Sequence, residues 1–362
     1  MSGSTLRLLI TADAVGGVWQ YATELARALI PLGVEPLLAI LGPSPSPEQL
    51  RAAAGLRLID TGLPLDWLAQ DNREIEVAGR AIARLAAEEQ VGIVQLNSPA
   101  LAAGVDFGKP VVAVSHSCLA TWWEAVIGGG ISDDFRWRAQ LHGRGLHAAD
   151  AVVTPTAAFA EMTRRAYGLP RAPLIVHNGR SPLALGDPVE ERFAFTAGRL
   201  WDKGKNLAVL DQAAAALPLP LYAAGPTTGP NGDAIGFHHL RPLGNLSELE
   251  IAGRLAARPV FVSAALYEPF GLAVLEAAMA GCPLVLSDIP TFRELWDGAA
   301  IFVDPRDHQG FAAAITSAEG DERAGAATRE RAARFTPDAT ARSMLDIYRS
   351  LAAQQAAARA AA

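Results

Sequence analysis

The sequence predicts an α/β protein of two Rossmann-like β/α/β lobes facing across a cleft, and three observations carry that expectation. Short apolar runs alternate with longer amphipathic stretches, the pattern of parallel βαβ units. The pattern starts twice, near Leu6 and again near Ala194. A length of 362 residues suits two domains.

In the first half the run 6–11 predicts a strand, followed by a glycine turn and a helix over about 18–32. A second strand is expected over 36–41, and after it Ser46 can cap a helix with Pro47 at its first position. Apolar runs at 92–96, 111–115 and 151–154 predict further strands. Asn-Gly, Ser-Pro and Asp-Pro steps between 177 and 192 mark the linker. The second half repeats the logic, with strands expected at 194–198, 219–224, 260–263, 284–287 and 300–303. The expected domains are therefore 1–180 and 181–336. A last helix begins at Pro337 and is expected to pack back toward the first domain, with an Ala-rich tail fraying beyond Leu351. Ligands of open α/β sheets gather beyond the carboxyl ends of the strands, so those loops are where chemistry is sought.

Composition narrows the function. Half of the residues are apolar and 19% are charged, as in a well-buried globular protein. A formal charge of −7 argues against a nucleic-acid partner. Cys118 and Cys282 lie far apart without metal-ligand spacing and read as small buried hydrophobes. The start of the chain shows no leader pattern and no stretch is apolar over about 20 residues, which together predict a cytoplasmic location.

Four constellations carry candidate chemistry. Asp13-Ala-Val-Gly16-Gly17 joins the first strand to the first helix, where adjacent glycines let backbone N–H groups approach a ligand. A plain tight turn explains it equally well, and it is not the Gly-x-Gly-x-x-Gly dinucleotide fingerprint. Gly198-Arg199-Leu-Trp-Asp-Lys203-Gly-Lys205 follows the first strand of the second half; fixed cations there suit a diphosphate, although basic turns are also ordinary solvated surface. Glu268-Pro-Phe270-Gly271-Leu272-Ala-Val-Leu-Glu276 places one carboxylate in a loop and one inside the following helix. Eight helical residues would rotate the two some 80° apart, so they need not share a face. Glu276 has apolar neighbours and is expected to be buried, where a charge needs a partner such as a ribose hydroxyl pair. His116 ends an apolar strand; a lone histidine is more often structural, and the strand-end position narrows that gap.

Taken together these motifs resemble the retaining GT-B glycosyltransferases of glycosyltransferase family 4. The resemblance runs along nearly the whole chain through Gly16-Gly17, His116, Thr154-Pro-Thr156, Asn178-Gly179, Gly198-Arg199-Leu, Gly225-Pro226 and Glu268 through Glu276. It implies a GT-B fold and a nucleoside-diphosphate sugar as co-substrate, with UDP the default base, and neither cofactor nor metal. Glu276 would bind ribose, Glu268 the hydroxyls of the transferred sugar, and Phe270, Gly271 and Leu272 would offer backbone N–H groups. Arg199 and a lysine would hold the diphosphate, Gly17 and Gly225 would adjoin the nucleotide, and His116 would sit by the reacting sugar. The family places its lysine five residues after the arginine, whereas Lys203 is four after and Lys205 six after. Lys205 is preferred because Lys205-Asn206 resembles the familiar element with one inserted residue.

The implied reaction is transfer with retention to a hydroxyl of a sugar, lipid-linked or small-molecule acceptor, in polysaccharide or glycoconjugate synthesis. Peripheral contact with a membrane stays open. Two rivals remain: a nucleotide-sugar epimerase of the same fold, and a non-catalytic nucleotide-sugar-binding protein.

Overall fold

The computed structural model describes residues 5–229 and 232–361. The chain divides into two compact units, one of Met1–Glu124, Gly129–Arg180 and Thr336–Ala362, the other of Ser181–Phe335 with Ala125–Gly128.

The first unit holds a seven-stranded parallel sheet in the order β3-β2-β1-β4-β5-β6-β7. Its strands are β1 (Leu6–Asp13), β2 (Val34–Leu41), β3 (Arg57–Asp60), β4 (Ile93–Leu96), β5 (Val111–Val114), β6 (Ala151–Thr154) and β7 (Leu174–Ile175). The helices are α1 (Gly17–Leu29), α2 (Pro47–Ala52), α3 (Asn72–Glu88), α4 (Leu119–Val126), α5 (Asp133–Ala148) and α6 (Ala157–Tyr167). Ser46 caps α2 through a reciprocal capping box with Gln49, Pro47 standing first in the helix as expected. Helix α1 stops three residues earlier than the pattern predicts. Pro31 lacks the N–H that another α-helical turn needs, so Ile30–Leu32 tighten into a 3₁₀ turn instead.

The second unit holds a six-stranded parallel sheet in the order β10-β9-β8-β11-β12-β13. These strands are β8 (Ala194–Ala197), β9 (Leu221–Ala224), β10 (Arg241–Gly244), β11 (Val260–Ser263), β12 (Leu284–Ser287) and β13 (Ile301–Val303). Its helices are α7 (Leu207–Ala214), α8 (Glu248–Ala256), α9 (Leu272–Ala280), α10 (Pro290–Trp296), α11 (His308–Ala318) and α12 (Glu322–Ala332).

Both strand orders reverse beside the first strand of their unit, between β1 and β4 and between β8 and β11. Such reversals are the ligand-binding crevices of doubly wound sheets, because the loops on either side of them diverge. Three strands lie outside the predicted set: β3, β7 and β10. Each is a sheet edge, short and largely exposed, and β10 carries Pro242, which an edge tolerates.

The last helix, α13 (Pro337–Ala361), belongs to the first unit. Ala341, Met344, Leu345, Tyr348 and Leu351 pack into one core with Trp19, Tyr21, Ala22 and Leu25 of α1. The fraying expected beyond Leu351 is not seen: the helix continues to Ala361, as alanine is the best helix former. No helix among the described residues is long and apolar enough to cross a membrane.

Candidate functional site

In the second unit, the loops at the reversal are stitched together by hydrogen bonds. The turn after β8 runs from Gly198 to Asn206, and Asp202 caps its 3₁₀ segment through the N–H of Gly204. The Gly204 carbonyl accepts from Leu266 N at 2.9 Å and Tyr267 N at 3.3 Å, in the loop after β11. Asn206 adopts a left-handed conformation, and its Nδ2 donates to the carbonyls of Ala264 (2.9 Å) and Pro305 (2.7 Å). One amide thereby ties the loops after β8, β11 and β13. Sequence reading marked Asn206 only as the neighbour of Lys205 and missed this tie; its signal was an asparagine, which visits the left-handed region more readily than other side chains.

This scaffold brings Lys205 and Glu268 into an ion pair, both half-buried. Lys203 is exposed, so the lysine facing Glu268 is the one six residues after Arg199. Arg199 is exposed, with Nη2 3.2 Å from Asp202 Oδ2. Glu268 is further set by its carbonyl, which accepts from Thr291 Oγ1 at 2.7 Å.

Helix α9 begins beyond Gly271, at φ +90°, where a Cβ would crowd Phe292, Glu268 and Val274. The amides of Phe270, Gly271 and Leu272 stand at this helix start, the positive end of its dipole. The Phe270 ring is buried against Phe335 at 5.7 Å, so its side chain serves the core. Glu276 departs from expectation: it is half-buried rather than buried, and it has interactions within the protein. The argument from an unpaired buried charge therefore falls, because the side chain lies on the wetter face of α9. Gly225 has a reason inside the fold: at φ +134°, its Cβ would fall 1.8 Å from the Gly198 carbonyl oxygen.

In the first unit the reversal carries a different chemistry. Gly16 is the N-cap of α1 without a side-chain cap, Gly17 opens the helix, and the space around Gly16 is open. His116, just past β5, is half-buried, and its Nε2 lies 3.0 Å from Asn97 Oδ1, just past β4. Asn97 Nδ2 donates to the Thr11 carbonyl at 2.7 Å, and Gln95 Nε2 donates to Asn97 Oδ1 at 3.1 Å. Tyr348, on α13, donates to Gln95 Oε1; both side chains are fully buried. The Tyr21 ring meets the imidazole edge-on at 4.4 Å. Burial lowers the His116 pKa to about 4, so the ring is neutral at physiological pH. None of Asn97, Gln95 or Tyr348 was legible as a partner of His116, since nothing in sequence spacing links positions 95, 116 and 348.

Cys118 and Cys282 are buried thiols, as expected. Burial raises both thiols, Cys282 to about 12, so neither is poised as a thiolate.

The family model for Glycosyltransferase Family 4 matches residues 15–181, and that for Glycosyl transferases group 1 matches 236–339. The chain belongs to glycosyltransferase family 4. The sequence is 42% identical over 96 residues to glycogen synthase of Mycobacterium tuberculosis, 26% of this chain but only 23% of that enzyme's length. It is 26% identical over 384 aligned positions to phosphatidyl-myo-inositol mannosyltransferase of Mycolicibacterium smegmatis, covering 94% of this chain and 91% of that one. Among solved structures, sucrose-phosphate synthase from Thermosynechococcus elongatus superposes with a TM-score of 0.76 at 19% identity, covering 96% of this chain and all of that one. An Anabaena protein, HepE, in complex with UDP-glucose gives 0.71 at 18%, with the same coverage of this chain and all of that one. These likenesses show the GT-B fold. Within this family-4 chain, Lys205 and Glu268 are joined, while Arg199 pairs with Asp202 and Lys203 is exposed.

Proposed function

We propose that this family-4 glycosyltransferase moves a sugar, with retention and without a metal, from a nucleoside-diphosphate sugar to a hydroxyl acceptor. The observation that carries the reading is the Lys205–Glu268 pair, set beside the start of α9 at the reversal of the second sheet. A cation and a carboxylate in contact match the two ends of the bond to be broken. The leaving diphosphate gains negative charge, and Lys205, Arg199 and the helix-start amides of Phe270, Gly271 and Leu272 would stabilise it. Glu268 would accept hydrogen bonds from sugar hydroxyls, and the family resemblance gives His116 a place by the reacting sugar.

Ribose is assigned to Glu276 and phosphate contacts to Gly17, on the family resemblance. Lys203 is the reserve cation, and Gly16 shapes the loop before α1. UDP is the default base, which the UDP-glucose complex of HepE supports. The acceptor class remains a sugar, lipid-linked or small-molecule hydroxyl, in polysaccharide or glycoconjugate synthesis in the cytoplasm. The phosphatidyl-inositol relative favours testing lipid-linked acceptors and peripheral membrane contact first.

Retention follows in this reading from a front-face displacement, in which the departing phosphate assists the incoming hydroxyl. The test incubates the protein with UDP-, GDP- and ADP-sugars, each with and without an acceptor panel and with EDTA. Release of nucleoside diphosphate together with a product of unchanged anomeric configuration supports the reading. Donor epimerisation without an acceptor would establish the epimerase instead. Tight donor binding with no turnover on any acceptor would establish a binding protein.

A further inference from the structure

We propose that Asn97 is a positioning residue that fixes the tautomer of His116, keeping the proton on Nε2 and presenting Nδ1 as an acceptor to a hydroxyl of the transferred sugar. The sugar contact rests on the glycosyltransferase reading above; the tautomer rests on the protein alone.

The assignment begins from a group that has no freedom. The Thr11 carbonyl can only accept, so the Asn97 atom 2.7 Å from it is the NH₂ group. The other end of that amide, Oδ1, then points at His116 Nε2, 3.0 Å away. An amide oxygen cannot donate, so the imidazole nitrogen facing it carries the proton. The opposite tautomer would set two lone pairs against each other and forfeit a half-buried hydrogen bond.

Two further residues lock the amide. Gln95 Nε2 donates to the same Oδ1 at 3.1 Å, and the Asn97 N–H donates to Thr11 Oγ1 at 2.9 Å. Gln95 in turn is held by its own donation to Asn97 Oδ1, while its Oε1 accepts from the Tyr348 hydroxyl and its side chain also bonds Tyr21. The last helix thus reaches the strand-end histidine through two amides, which gives a catalytic reason for α13 to pack in the first unit. Among the described residues, His116 Nδ1 makes no hydrogen bond. A neutral ring presenting an acceptor nitrogen suits a sugar hydroxyl and does not suit a phosphate, which offers no proton at neutral pH.

The test uses the full chain labelled with ¹⁵N-histidine, the His116 signals being assigned with a His116→Asn variant. Long-range ¹H–¹⁵N spectra near neutral pH report which ring nitrogen carries the proton. The wild type should show His116 protonated on Nε2 alone. Asn97→Ala should give mixed tautomers and lower kcat about tenfold or more, with donor KM changed less than about twofold. Asn97→Asp keeps an acceptor facing Nε2 and should restore the single tautomer. Asn97→Leu keeps the volume without an amide and should likewise give mixed tautomers, which keeps the test decisive should Asn97→Ala fold poorly. An Nδ1-protonated wild type, or a tautomer unmoved in both Asn97→Ala and Asn97→Leu, would overturn the proposal. A tautomer that moves while transfer stays at wild-type rate would overturn the sugar contact alone, leaving the roles of Lys205 and Glu268 to their own test.

Discussion

The two units place their candidate residues at the same topological point and equip it in opposite ways. Beyond β8 and β11, the second unit assembles charge: Lys205 against Glu268, with Arg199 and Lys203 exposed on the same turn. Beyond β1, β4 and β5, the first unit assembles a neutral chain of amides and hydroxyls around His116. A parallel sheet supplies the crevice, and the loop residues decide what it can hold. A charged crevice suits a diphosphate, whose leaving group accumulates charge. A neutral, oriented one suits hydroxyl groups, whose recognition depends on hydrogen-bond direction.

The sharpest way to break this division is to remove the charge from the second unit. Lys205→Ala should cut transfer by about a hundredfold to a thousandfold, read as kcat/KM for the donor, while the melting temperature moves only slightly. Glu268→Ala should act similarly on kcat. Wild-type rates in both variants would remove the second unit from the chemistry.

The next largest effect concerns what the turns themselves require. Gly225→Ala would drive a methyl group to 1.8 Å from the Gly198 carbonyl oxygen at a left-handed φ. Denaturant unfolding should show a loss of roughly 3 kcal/mol. An unchanged midpoint would mean that the turn after β8 yields freely, and the rigid charged crevice would be lost as an explanation.

The neutral unit makes a prediction about pH. Burial lowers His116 to about 4 from 6.5, and does the same for His142, where the charge of Asp66 opposes it only in part. Between those values the unfolded chain binds protons that the folded chain refuses, so stability must fall as pH drops from about 6.5 to 4. The His142→Gln variant should remove about half of that slope, because the two histidines are lowered alike. A slope that stays flat in the wild type would contradict the neutral network.

The smallest effect is expected where charge lies outside both crevices. Glu161 pairs with Arg164 and Arg165 on the surface of α6, in the first unit. Glu161→Ala should leave the denaturant unfolding midpoint essentially unmoved and transfer untouched. A larger change would mean that charge matters in the first unit after all.

The sequence made the interior strands of both sheets legible because each is a short apolar run between loop signals, such as Val111–Val114 and Val260–Ser263. It hid β3, β7 and β10 because edge strands are exposed and need no apolar pattern. The candidate residues were legible where a motif is local. Lys205 could be preferred from its neighbour Asn206, and Glu268 from the Pro-Phe-Gly that follows it. Glu276 was misjudged as buried because apolar neighbours in a helix do not say which face a side chain takes; the exposure alternates with the helical turn. The His116 network was illegible for another reason. It joins residues 11, 95, 97, 116 and 348, and only the folded chain brings the middle of one helix to three neighbouring strands.

The division of labour is tested most directly by titrating UDP, GDP and ADP calorimetrically into the wild type, Lys205→Ala and His116→Ala. The account predicts that one nucleoside diphosphate binds the wild type, that Lys205→Ala weakens it at least about tenfold, and that His116→Ala binds it with nearly wild-type affinity. Equal weakening in the two variants, or loss in His116→Ala alone, would contradict it.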